Sequence, residues 1–266
     1  EKSDLTLGNN NYRLIANPVF ENDRVIGAVI LIIDVTESVK REQLRREFTS
    51  NVSHELKTPL TSISGFAEIM KNGGTPDAVV TDFSTSIYDE AQRLISLVND
   101  IIKISELDEK NVQAESEDVD LYELSADIIS RLKPVADKRN ISFNLIGEST
   151  VVSGTEKILD EMIYNLCDNA IKYNVDNGTV DVILSESRRH IKLTVRDTGI
   201  GIPQSEQERI FERFYRVDKS HSKSIGGTGL GLSIVKHAAI YHNAEIKLKS
   251  ELGKGTSITI AFTKDD

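Results

Sequence analysis

The chain has 266 residues, room for two or three domains, and its 39% apolar and 28% charged content is that of ordinary globular protein. A net charge of −10 argues against nonspecific nucleic-acid binding, which rests on basic patches. The longest apolar run, Val25 to Ile33, has nine residues, far short of the ~20 that a membrane span needs. The single Cys167 excludes an internal disulfide framework, suits a reducing compartment and reads as a buried thiol within an apolar helical pattern. No signal peptide is visible and the chain opens on Glu1 rather than Met, so it reads as a fragment of something longer.

Tyr12 to Phe20 and Val25 to Ile33 are predicted strands, rich in β-formers and joined by the turn Glu21-Asn22-Asp23-Arg24. An isolated hairpin is marginal in water, so earlier strands are expected to be missing. From about Ser38 the period becomes helical. Val52, Leu56, Pro59, Ile63, Phe66 and Met70 are spaced four, three, four, three, four, the a/d seam of a helix bundle. Asn72-Gly73-Gly74-Thr75-Pro76-Asp77 breaks this helix, and Pro76 suits the first turn of the next. Val80, Phe83, Ile87, Leu94, Leu97, Ile101 and Ile104 repeat the seam, interrupted at Glu90 for no reason visible in the sequence. Each helix is expected to run ~45 Å. Two amphipathic helices cannot close a core alone, so an antiparallel hairpin completed by a second copy, a dimeric four-helix bundle, is predicted.

Leu107 to Glu117 is polar and acidic and reads as a linker. Helices are then predicted near Leu121–Lys138, Thr155–Tyr173 and Gly229–Tyr241. Strands are predicted near Ile141–Ile146, Thr179–Glu186, His190–Arg196, Ala244–Lys249 and Thr256–Phe262. That alternation suggests a two-layer α/β sandwich with a mixed sheet. No internal repeat or low-complexity tract interrupts it.

One turn of the first helix concentrates chemistry: His54-Glu55-Leu56-Lys57-Thr58-Pro59. With Val52 at d and Leu56 at a, His54 falls at f, farthest from the bundle core. Glu55 is adjacent and can accept an imidazole proton while the other ring nitrogen attacks. Thr58, four residues on, shares the face of His54. Pro59 withholds an N–H from the carbonyl of Glu55 and is expected to kink the helix. The plain alternatives are a surface histidine, solvated charges at Glu55 and Lys57, a purely structural Pro59, and a Thr58 hydroxyl bonded back to the carbonyl of His54. His190, His221, His237 and His242 lack such a setting and are expected to be structural or superficial.

Four further motifs follow: Asn165-Leu166-Cys167-Asp168-Asn169-Ala170-Ile171-Lys172-Tyr173, Asp197-Thr198-Gly199-Ile200-Gly201, Phe211-Glu212-Arg213-Phe214-Tyr215-Arg216 and Gly226-Gly227-Thr228-Gly229-Leu230-Gly231. With the His54 turn, in this order, they resemble the HisKA-type sensor histidine kinases of two-component systems, in particular the PhoR/WalK-like group, over roughly residues 38 to 264. The resemblance implies three parts. Residues 1–37 would be the end of a PAS-like sensor domain whose ligand pocket is cut away, an unrelated terminal hairpin being the alternative. Residues 38–112 would be a dimerisation and phosphotransfer hairpin, and 113–266 a Bergerat (GHKL) ATP-binding domain. It implies a homodimer that phosphorylates His54 from ATP and Mg²⁺ and passes the phosphoryl group to an aspartate of a response regulator receiver domain, with dephosphorylation of that regulator as a second activity. It also implies the cytoplasmic portion of a membrane-anchored protein.

Residue by residue, the resemblance makes His54 the acceptor, Glu55 its base and Thr58 the residue that orients water against the phospho-regulator. Asn169 would ligate Mg²⁺, supported by Asn165, with Lys172 on phosphate and Tyr173 against adenine. Asp197 would accept the adenine amino group, with Gly199 and Gly201 letting backbone approach the base. Gly227, Thr228, Gly229, Leu230 and Gly231 would present backbone N–H groups to phosphates at a helix start. The Lys-Ser/Thr ending of a Walker loop is absent. The polar stretch from Phe214 to Gly226 would form a lid, with Arg216 at its root steadying the γ-phosphate. Gyrase- and Hsp90-like ATPases of this fold carry a glutamate where this chain has Asn165. A catalytically dead adaptor would be expected to lack His54, Asn169 or the glycines.

Overall fold

The computed structural model describes residues 2–73, 76–108, 116–217 and 227–264. His221, Gly226 and most of the expected linker and lid lie outside these residues. The chain divides into two compact units, Glu1–Thr61 and Ser62–Asp266.

In the first unit, β1 (Lys2–Leu7), β2 (Asn10–Glu21) and β3 (Arg24–Asp34) form an antiparallel sheet in that order. The predicted hairpin is β2–β3; β1 is additional. Its apolar residues are only Leu5 and Leu7, a pattern too short for a strand to be read from the sequence. The β2–β3 turn places Asn22 at φ 47° and Asp23 at φ 62°, the left-handed pair whose twist matches that of the flanking strands. Val25, Ile26, Val29, Ile30, Leu31 and Ile32 of β3 are all exposed. Helix α1 (Thr36–Asn72) starts against this sheet. The Thr36 amide donates to Asp34 Oδ1 at 2.9 Å, its hydroxyl accepts from the Asn11 amide at 2.8 Å, and the Val35 amide donates to the Asn11 carbonyl at 2.8 Å. The 37 residues of α1 run uninterrupted through Pro59 and give a length of ~55 Å, longer than expected.

The second unit takes the end of α1 with α2 (Asp77–Asp108) and the whole α/β region. Phe66 stacks on Phe83 with ring centroids 5.0 Å apart. Leu97 and Ile104 of α2 are buried, whereas Tyr88, Ile95 and Ile102 are exposed. Glu90, which interrupts the apolar seam, lies 3.9 Å from Arg93, and its buried Oε2 accepts no hydrogen bond among the described residues.

Beyond α2 come β4 (Glu117–Asp120), α3 (Leu121–Asp137), β5 (Ser142–Ile146), β6 (Val151–Gly154), α4 (Glu156–Lys172), β7 (Thr179–Glu186), β8 (His190–Asp197), α5 (Gly231–Tyr241), β9 (Glu245–Glu251) and β10 (Gly255–Thr263). The main sheet is mixed as predicted: its order is β5-β7-β8-β10-β9, with β5–β7 parallel and the other pairs antiparallel. The two-stranded β4–β6 pair is an addition to the sequence reading. Its strands have four residues each, too short to register a period.

Alternation builds the core. Ile191, Leu193 and Val195 of β8 and Ile258, Ile260 and Phe262 of β10 point inward against the stripes of α3 and α4. Each such side chain contributes about 1.5–3 kcal/mol on burial. Cys167 is fully buried there, and burial pushes its thiol up to about 12, far from a reactive thiolate. His242 is structural: its Nε2 accepts from the Thr155 amide at 3.1 Å and its Nδ1 lies 2.8 Å from the Ala238 carbonyl.

Asp120 caps α3, its Oδ1 accepting from the amides of Tyr122 at 2.8 Å and Glu123 at 3.3 Å. The hydroxyl of Ser149, then the amides of Tyr122, Glu123 and Thr150, hold its carboxyl below the usual range. Asp120→Ala is expected to cost about 1 kcal/mol at neutral pH. Because the folded pKa is depressed, that contribution is present above the unfolded value of ~3.9 and fades as pH falls through the lower folded one. Urea unfolding of both proteins at pH 7 and pH 3 should show the gap narrowing in acid; a gap that widens would refute the assignment.

Candidate functional site

Two places gather the chemistry. In the first unit, His54 is exposed on α1, Glu55 is half-buried, Lys57 and Thr58 are exposed and Pro59 is buried. The outward position predicted for His54 is therefore observed. Thr58 Oγ1 donates to the His54 carbonyl at 3.2 Å. Thr49, Ser53 and Thr61 make the same bond one turn back on α1. The hydroxyl uses its proton there.

In the second unit, a pocket of about 500 Å³ opens against α4, lined by Asn165, Asn169, Lys172 and Tyr173 together with Gly227, Thr228, Gly229 and Gly231. Helix α4 makes this possible through its two faces. Ile158, Leu159, Met162, Ile163, Leu166, Cys167, Ala170 and Ile171 are buried, which leaves Glu161, Asn165, Asp168, Asn169 and Lys172 on the pocket side. Asn165 Nδ2 donates to the Glu161 carbonyl at 2.7 Å. A Cβ on Gly231 would lie 2.8 Å from Asn165 Oδ1 and 3.5 Å from Asn169 Nδ2, so the glycine lets α5 begin directly over both amides. The wall's cations are paired: Lys172 Nζ with Asp168 at 2.6 Å, Lys103 Nζ with Glu161 at 2.7 Å, and Arg131 with Asp160.

Asp197, Gly199, Gly201, Arg216 and Leu230 are not on the pocket wall. They shape it from behind. Asp197 Oδ1 accepts from the amides of Gly199 at 2.8 Å and Thr256 at 3.1 Å. Burial raises its carboxyl pKa, and the two amides oppose that shift. A Cβ on Gly199 would meet the Tyr173 carbonyl at 2.2 Å, and that carbonyl accepts the Ile200 amide at 3.0 Å. Leu230 is fully buried, and Arg216 donates to the Gly227 carbonyl.

The Phe214 amide, within the Phe211–Arg216 motif, donates to the Gly229 carbonyl at 2.9 Å and braces the glycine-rich turn. Other shaping residues were not singled out from the sequence. Asn174 is buried; its Nδ2 donates to the Thr179 carbonyl at 3.0 Å and its Oδ1 accepts from Thr198 Oγ1 at 3.2 Å. Its adjacency to Tyr173 was the available signal. Helix α2 contributes a wall through Gln92, Asn99, Asp100 and Lys103, which nothing in the spacing announced. Among the described residues no group of three or more His, Cys, Asp or Glu could hold a metal.

Residues 44–110 match the His Kinase A (phospho-acceptor) domain, and residues 154–266 match the Histidine kinase-, DNA gyrase B-, and HSP90-like ATPase family. The chain belongs to the HisKA-type histidine kinase family. It is 40% identical over 238 residues to the sensor-like histidine kinase SenX3 of Mycolicibacterium smegmatis, covering 88% of this chain and 62% of that one. It is 35% identical over 264 residues to the sensor histidine kinase WalK of Bacillus subtilis, covering 97% of this chain and 43% of that one. Among solved structures it resembles histidine kinase ThkA in complex with response regulator protein TrrA, with a TM-score of 0.66 over 99% of this chain and 78% of that chain, at 24% identity. The fold is thus that of the histidine kinases: a helical phospho-acceptor region and a Bergerat-type sandwich.

The turn after Asp197 generates a prediction. Gly201 has φ +67°, and a Cβ there would sit 2.0 Å from the Glu251 carbonyl oxygen. Gly201→Ala should cost at least about 2 kcal/mol, since strain and a backbone clash act together. Thermal unfolding of the two proteins measures it, and equal Tm values would contradict the geometry.

Proposed function

We propose that this chain is the catalytic core of an ATP-dependent protein-histidine kinase. The carrying observation is that one chain holds both an exposed imidazole beside a carboxylate and a pocket where two asparagine amides meet a glycine-rich helix start. In this reading a ring nitrogen of His54 forms the N–P bond as the γ-phosphoryl group leaves ADP, and Glu55 takes the proton from the other nitrogen. Asp197 Oδ2 accepts the adenine amino group, Tyr173 flanks the base, and Gly227 to Gly231 receive the phosphates with Arg216 at the lid root. The amide oxygens of Asn165 and Asn169 are hard donors that suit Mg²⁺ completed by phosphate and water, with Asn169 as ligand. When bound, that ion supplies charge neutralisation between phosphates.

The phosphoryl group then passes to an aspartate of a response regulator receiver domain, the partner class in the ThkA–TrrA complex. A second copy completes the helical bundle, supported by exposed Leu44, Leu60 and Ile102. We assign residues 1–37 to the end of a PAS-like sensor domain, 38–112 to dimerisation and phosphotransfer and 113–266 to catalysis, in the cytoplasmic part of a membrane-anchored sensor. Relatives of which the chain spans 62% and 43% leave room for such an anchor. Among the described residues no helix is long and apolar enough to cross a membrane.

His54→Gln should abolish acid-labile, alkali-stable labelling from γ-labelled ATP while leaving nucleotide affinity unchanged; label that persists means another acceptor. Thr58→Ala should leave autophosphorylation largely intact and slow dephosphorylation of the regulator, because the hydroxyl lies one turn from His54 on an exposed stretch of α1. Both rates moving together would reduce Thr58 to a shaper of the helix.

A further inference from the structure

The α2 wall brings a carboxylate to the phosphate end of the pocket. Thr228 Oγ1, in the glycine-rich turn, donates to Asp100 Oδ2 at 2.7 Å and accepts from the Leu230 amide at 3.3 Å. The group an acidic side chain finds there is one that a phosphate would seek at the start of α5. Asp100 is held in place by its neighbours. Lys103, one turn along, is bound to Glu161 of α4, and Lys157 of α4 lies 3.7 Å from Glu106 of α2. Ile104 and Leu97 bury the apolar side of α2.

The charges decide what this wall does. Lys103 is already spent on Glu161, so α2 adds little uncompensated positive charge to the pocket, and it adds Asp100 directly on the turn. Burial raises the Asp100 carboxyl pKa, opposed by the Thr228 hydroxyl and then by Lys103 and Lys172. Both opposing cations belong to the same phosphate end. A polyphosphate entering it would compete for that hydroxyl and those cations and would meet a like charge.

We propose that Asp100 is an internal occupant of the phosphate end, so that α2 docked through the Asp100–Thr228 bond and a bound nucleoside triphosphate exclude each other. This rests on the nucleotide reading of the pocket given above. Docked α2 holds the site idle, and any movement of α2 that withdraws Asp100 admits the triphosphate. By reciprocity, the triphosphate drives α2 away from the turn.

The test uses the full chain, with Asp100→Ala and the isosteric Asp100→Asn, titrated calorimetrically with ATP, ADP and adenosine. Both variants should bind ATP roughly tenfold more tightly than the parent, within the usual span of site–site coupling. ADP should gain less and adenosine nothing, a grading by charge that a packing change would not produce. ATP affinity that is unchanged or weaker in both variants, with ADP still bound, overturns the proposal and leaves the nucleotide site standing. Binding of no adenine compound by the parent or either variant overturns the pocket reading and the proposal together.

Discussion

Everything in the second unit depends on helix α4 facing two environments at once. Eight of its seventeen residues are buried, and they fix the helix against α3, α5 and the sheet. That leaves no rotational freedom to the other face, where Asn165, Asn169 and Lys172 line the pocket. The amides are positioned by the core rather than by one another. Asn165 spends its Nδ2 on the Glu161 carbonyl at 2.7 Å, which fixes the direction of its Oδ1. Gly231 then lets α5 begin against that oxygen, because no side chain intervenes. A polar site assembled this way inherits its precision from apolar packing.

The sequence was legible where a period repeats and where a motif sets a spacing. The prediction for β7 coincides with the observed strand, and those for α3, α4, β5, β8, β9 and β10 fall within two residues at either end. Their residues alternate between core and solvent or carry a helical stripe. Strands β4 and β6 have four residues each and no period to detect, and β1 has only Leu5 and Leu7 to set one. The same limit applied to the site. Asn165, Asn169 and Asp197 were readable because each lies inside a motif of fixed spacing. Asp100 lies in no motif and acts through a contact to Thr228, from 128 positions away. Only folding brings such partners together.

Charge explains a further part of the arrangement. A chain of net charge −10 that is to receive a polyphosphate needs local cations. Those at the pocket are each held by an acidic neighbour: Lys172 by Asp168, Lys103 by Glu161 and Arg131 by Asp160. Such pairs keep long side chains ordered near the place where charge must be met, at little net stabilisation because they remain partly solvated. An entering anion need not order a free lysine; it shares one already positioned.

The two chemical places differ in how much of their structure is needed. The pocket requires five segments to converge, and a displaced Gly231 would disturb it through its close contact with the Asn165 and Asn169 side-chain amides. The His54 turn requires only a helix. Its imidazole is exposed, and the Thr58 bond to the His54 carbonyl is one of several identical bonds along α1. Nothing in that local geometry singles out Thr58 over Thr49 or Ser53 except its position beside an imidazole. Specificity there must come from what approaches the helix, whereas specificity in the pocket is built into the fold. An exposed f position leaves the imidazole open to whatever surface fits the helix, whereas the pocket admits only what its walls allow.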